Sequence, residues 1–254
     1  MPLRQRKEEI QMRVVGLSKS WFVGAAALLA LTVPAFAGTD GYMFALTAQN
    51  AAGAGHFYVT EDMGQWQGDV WRWQLTEPVA IIGGTGREVI ATLNEGEVLF
   101  RSDPVISLGF AVQAGDAQTT FTIQSALLSF PALNNPTGQA SAGITLTDFD
   151  GTGAQLNGLG PVGGAYLAQY NGFVPGGTTL HEAITQIVAG PFDVVDASSN
   201  TGTVGILGTV SSMSSQFSFT LSANDLAAGT SIFEIVPEPA SILLIVAAAL
   251  LRRR

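Results

Sequence analysis

Asp148-Phe149-Asp150-Gly151-Thr152-Gly153 is the stretch of this 254-residue sequence whose residue types and spacing come nearest to a defined chemistry. Alternate carboxylates can converge on a hard cation, and glycine permits the bend that brings them round. In a linear calcium loop the closing bidentate Glu would fall at position 159, which is Leu159 and offers no oxygen. Asp and Gly also favour tight turns for their own reasons, so the stretch reads first as a solvated hairpin turn, with calcium ligation as the sharper alternative.

Other constellations are thinner. Gly158-Leu159-Gly160-Pro161-Val162-Gly163 has the spacing of a dinucleotide fingerprint, but Pro161 and Gly164 lead into a strand-like segment instead of a helix whose amides could hold a pyrophosphate. His181-Glu182 lacks a second His four residues on, and there is no cysteine, no Gly-x-Ser-x-Gly elbow and no Gly-Lys-Ser/Thr loop. The carboxylate pairs Glu61 with Asp62 and Asp193 with Asp196 would serve a glycosidase only if a cleft set them at a working separation. Trp71 and Trp73 fall on one face of a strand, with Val70, Arg72 and Gln74 on the other. Exposed, the two indoles would form a platform for sugar rings; buried, they would be the bulky residues a sandwich core requires. No catalytic, cofactor-binding or metal residue is assigned from these patterns, and the chain is read as a non-enzyme.

Residues 38 to 236 carry three cations, Arg72, Arg87 and Arg101, against seventeen carboxylates, a net charge of −14. Such a surface repels phosphates and excludes nucleic acid as a partner. With no cysteine the fold stands without disulfides or thiolate metal sites.

Strand patterns dominate this body. Ile106, Leu108, Phe110 and Val112 alternate with small or polar residues, as do Phe217, Phe219 and Leu221, so each set lines one face. Further strands are expected at 55–60, 66–75, 88–93, 97–101, 119–130, 142–147, 165–170 and 204–210, separated by turn-formers such as Asn94-Glu95-Gly96 and Asn134-Asn135-Pro136. About ten short strands with regular turns predict an all-β, antiparallel β-sandwich. One short helix is expected at 179–188, behind a Thr cap, and a single turn at 224–229. A sub-boundary near Pro104 and one continuous sandwich are both open.

The ends carry addresses. Residues 1 to 37 have the tripartite form of a secretory signal: basic residues, an apolar segment shorter than the ~20 residues of a spanning helix, and Ala35-Phe36-Ala37, which predicts cleavage by signal peptidase before Gly38. Translation from Met12 would leave a more compact leader. At the other end, Val236-Pro237-Glu238-Pro239-Ala240-Ser241 precedes a short apolar helix-forming run that stops on Arg252-Arg253-Arg254. A run this short fits a transient membrane anchor, with its positive end cytoplasmic.

The motif, the run and the arginines together resemble the PEP-CTERM sorting domain of exported bacterial proteins. That resemblance implies recognition at Pro237, Glu238 and Pro239 by an exosortase, a membrane cysteine protease, with delivery of the body to the cell surface or an extracellular polysaccharide matrix. The expected organisation is a signal peptide at 1–37, a β-sandwich body at 38–236 and a sorting signal at 237–254. The expected function is that of a surface or matrix structural protein. The alternative is an exopolysaccharide-binding module using the Trp71 and Trp73 face.

Overall fold

The computed structural model describes residues 41–84, 88–173 and 177–237. The leader with Ala35 and Ala37, Arg87, and the C-terminal segment from Glu238 and Pro239 onward lie outside the described residues. Among the described residues no helix is long and apolar enough to cross a membrane.

In chain order the strands are β1 (Tyr42–Asn50), β2 (Gly53–Thr60), β3 (Gln65–Gln67), β4 (Val70–Gln74), β5 (Val79–Gly83), β6 (Glu88–Arg101), β7 (Val105–Ala114), β8 (Thr119–Ser125) and β9 (Leu128–Asn134). There follow β10 (Thr137–Thr147), β11 (Ala154–Gly158), β12 (Tyr166–Tyr170), β13 (Thr178–Ala183), β14 (Gln186–Ala189), β15 (Val194–Asn200), β16 (Val204–Gly205), β17 (Thr209–Leu221) and β18 (Leu226–Val236). They form two antiparallel sheets. One runs β13-β12-β17-β8-β1-β2, with β11, β14 and β9 attached to it; the other runs β15-β10-β18-β7-β6-β4-β3, with β16 beside β10 and β5 beside β6.

Burial follows the two-residue period of the strands. In β8 and β10 every second residue is buried, so the apolar set of each sheet meets that of the other. Trp71, Phe44, Phe100, Phe121, Phe217, Phe219 and Phe233 are fully buried there. Phe110 of β7 meets Phe217 of β17 edge-on, with ring centroids 4.9 Å apart, which joins the two layers.

The expected sandwich is present, with more strands than the sequence patterns separated. Asn94-Glu95-Gly96 is no turn: β6 runs through it, and the pairing with β7 shifts between Leu93 and Glu95 as a bulge does. Conversely, 119–130 breaks into β8 and β9, and 66–75 contains the Gly68-Asp69 turn, where Gly68 has φ +65° and closes the β3–β4 hairpin. The helix expected at 179–188 is replaced by β13 and β14. Ile187 and Ala189 are buried while Val188 between them is exposed, a period of two that no helix face satisfies. The turn expected at 224–229 is shorter, with Asn224 at φ 62° and β18 already begun at Leu226. Among the described residues the helical element is a single 3₁₀ turn at Glu61–Met63. Pro104 marks no boundary, because β6 and β7 on either side of it pair from Arg101 opposite Val105 to Ala91 opposite Ala114.

Candidate functional site

β10 and β18 are neighbours whose last pair is Thr147 with Leu226. One residue beyond that pair on each strand stands an aspartate, Asp148 and Asp225, and the turn that follows Asp148 brings back Asp150. One carboxylate oxygen from each of the three lies within 4.8 Å of one from each of the others. Asp148 and Asp225 are buried, 3% and 0% exposed, whereas Asp150 faces solvent.

Neighbours hold each group in place. Asp148 Oδ2 accepts the Phe192 amide at 2.5 Å, and Asp225 accepts from the Ser222 hydroxyl. Asp150 accepts the Thr152 amide at 2.9 Å and the Asn224 side-chain amide at 3.3 Å. Gly151 has φ +80°, and a Cβ there would strike the Phe192 ring at 2.3 Å, so the turn requires glycine on both counts. The second oxygens of the buried pair, Asp148 Oδ1 and Asp225 Oδ1, have no hydrogen-bond partner. Such orphaned polar atoms cost about 1–3 kcal/mol each. Burial pushes the Asp225 carboxyl above its usual range, and the nearby Asp148 adds to the shift against the opposing Ser222 hydroxyl. The Thr152 hydroxyl and amide hold Asp150 below its usual range. Three oxygen donors without nitrogen or sulfur are the set that hard cations take.

Trp71 and Trp73 form no platform. They are 0% and 7% exposed, because the face of β4 they share points into the core, where Trp71 packs on Phe100 and Trp73 on Phe44 and Phe57. The Trp71 indole donates to the Glu61 carbonyl at 3.1 Å, which satisfies its one polar atom. The outward residue between them, Arg72, pairs with Glu97 at 2.6 Å. On the outer surface, Tyr42, Tyr58 and His56 stack in a row, with centroid spacings of 4.1 and 5.7 Å.

The glycine-rich loop after β11 leads into β12, with no helix. Its amides are occupied by the chain itself: Glu182 Oε1 accepts from Val162 and Gly164, both at 2.8 Å. His181, the preceding residue of β13, meets the Tyr166 ring edge-on, with Nε2 buried and unpartnered and its pKa pushed down by burial. Asp62 accepts from Thr60 and Glu61 from Trp66, while Asp193 bonds the Val194 amide and Asp196 the Thr145 hydroxyl. Both carboxylate pairs thus serve local turns and strand edges.

The outer face of the second sheet is hollowed. Gly109, Thr230 and Gly143 lie in one cross-strand row, with Glu97 opposite Gly109 and Ser198 opposite Gly143. Two missing side chains in that row leave a groove of about 770 Å³, edged by Gln74, Glu97, Thr145, Asp196, Ser198 and Thr230.

No family model matches the chain, and no curated protein matches it. Among solved structures, the sandwich is similar to TmCBM61 in complex with β-1,4-galactotriose, at 10% identity and a TM-score of 0.28, over 79% of this chain and 93% of that one. It is also similar to the carbohydrate-binding module CBM6cm-2 from Cellvibrio mixtus lichenase 5A in complex with cellotriose, at 11% identity and a TM-score of 0.19, over 68% and 92%. A third is the enzymatically active domain of bacteriophage CBA120 tailspike protein 4, at 9% identity and a TM-score of 0.24, over 70% of this chain and 22% of that one. Likeness at this level says nothing about ligand.

Proposed function

We propose that this chain is an exported, non-catalytic protein of the cell surface or extracellular matrix, delivered there when an exosortase-type membrane protease acts at Pro237-Glu238-Pro239. The observation that carries this reading is the junction between body and tail. β18 is paired by β10 on one side and β7 on the other, and it runs to Val236, directly before Pro237. Proline has no N–H to continue the ladder. Among the described residues the last strand therefore ends before the first residue of the sorting motif. At the other end β1 begins at Tyr42, a few residues after the expected signal-peptidase site at Ala37.

Mass spectrometry of protein recovered from a native host tests the itinerary. Mature chains should begin at Gly38 and lack the apolar run and arginine tail. Deleting residues 237 to 254 should convert surface-associated protein into freely released or mislocalised protein. An intact tail on most molecules, or unchanged localisation, overturns the reading.

A second function, holding exopolysaccharide, is favoured by the groove across Gly109 and Gly143, which offers hydroxyl, amide and carboxylate groups in a concave strip. A Cβ at Gly143 meets only ordinary contacts at 3.8 Å or more. Gly143→Leu should therefore fill the groove without unfolding the sheet. Affinity electrophoresis in exopolysaccharide should show retardation of the parent chain and none of Gly143→Leu; equal mobility of both sinks this function.

A further inference from the structure

We propose that Asp148, Asp150 and Asp225 form a calcium site that ties the turn after β10 to the start of β18. The site does not depend on the route by which the chain is exported.

Three carboxylates converge within 4.8 Å, and two of them are buried. Among the described residues the one ion pair is Arg72 with Glu97, so none of the three has a cationic partner. Like charges held this close in a buried place repel unless a cation or a shared proton joins them. The second, independent observation is the pair of orphaned oxygens. Asp148 Oδ1 and Asp225 Oδ1 are buried without a hydrogen-bond partner, although every other polar contact of the two side chains is provided for. An atom of this kind is what a bound cation satisfies.

The ligand chemistry selects the cation. The donors are all oxygen, which disfavours zinc and copper. Calcium takes oxygens at about 2.3–2.6 Å in flexible geometry, whereas magnesium demands a near-ideal octahedron and gives up its own waters reluctantly. Asp150, on the solvent side, leaves room for the waters that complete six to eight ligands. The oxygen that a linear loop would supply from position 159 comes instead from Asp225, brought alongside by the β10–β18 pairing.

Calorimetric titration of calcium chloride into the full chain, first stripped with a chelator, tests the site. One calcium per chain is expected, with a dissociation constant in the roughly 10⁻⁴–10⁻³ M range of extracellular modules or tighter, and calcium should raise the thermal midpoint. Asp150→Asn is the safe variant, because that side chain is exposed. It should fold as the parent does and weaken calcium binding by about tenfold or more. Asp225→Asn should abolish the calcium-dependent rise in midpoint. Absence of binding at millimolar calcium, a magnesium response equal to that of calcium, or undiminished binding in both variants would overturn the site. A chelated chain that responds only to acid, and not to calcium, would assign the cluster to a shared proton instead.

Discussion

Asp148 and Asp225, 77 residues apart in sequence, stand side by side because Thr147 and Leu226 close the β10–β18 ladder. Their unpartnered oxygens make this corner a local liability in the absence of an ion. Asp225→Asn keeps an acceptor for the Ser222 hydroxyl and removes one buried charge. In the presence of chelator the variant should therefore be more stable than the parent, by about 1 kcal/mol. Urea unfolding with matched slopes measures this, and a lower midpoint for the variant would show that the carboxylate stabilises the corner even when empty.

Trp71 contributes to the core and to no binding surface. Its ring lies 5.8 Å from Phe100 and is wholly enclosed, and its indole N–H is bonded to Glu61. Trp71→Ala should cost about 3–5 kcal/mol, whereas Trp66→Ala, on the exposed side of the β3–β4 hairpin, should cost under about 1 kcal/mol. Chemical denaturation of the two variants gives the comparison. Similar losses at the two positions would contradict the inward orientation of the Trp71 face.

The sandwich was legible because alternation at Ile106 to Val112 and Phe217 to Leu221 is a local property that burial merely confirms. The bulge at Leu93–Glu95 was not, because turn-formers are equally at home where a strand kinks. Thr179 to Val188 misled through a cap and apolar spacing that suit a helix, until pairing with β12 and β11 imposed the two-residue period. The spacing of Trp71 and Trp73 puts them on one face of a strand, but which face looks inward depends on the opposite sheet. The carboxylate centre was half visible. Asp148 and Asp150 lie in an evident motif, while Asp225 joins them only through the register of β10 on β18, which no local pattern encodes.

The end of β18 at Val236 makes a simple prediction about the tail. A chain that stops at Pro237 keeps every residue of β18 and both of its ladders. Its unfolding free energy in aqueous buffer should match that of the chain carrying residues 238 to 254 to within about 0.5 kcal/mol. Circular dichroism of the two chains settles it. A substantial loss on truncation would mean that the tail packs on the body, which would remove the physical support for a detachable signal.

Tyr166 gives the fold an alkaline limit. Its ring is wholly buried, and its hydroxyl meets the Ser215 hydroxyl at 3.3 Å, with Ser231 bonded in turn to Ser215. Burial pushes the phenol from its ordinary 10.0 up to about 12, against the milder opposing effect of the serine hydroxyls. The folded chain thus holds the proton more tightly than the unfolded chain. Its stabilising effect is complete below pH 10 and disappears as the pH climbs through about 12, for a loss on the order of 3 kcal/mol. Tyr166→Phe removes the ionisation and leaves the serine pair to bond each other. Urea midpoints of parent and variant should diverge between those two pH values, the parent falling more steeply. Parallel curves across the whole range would show that the buried phenol does not govern alkaline unfolding.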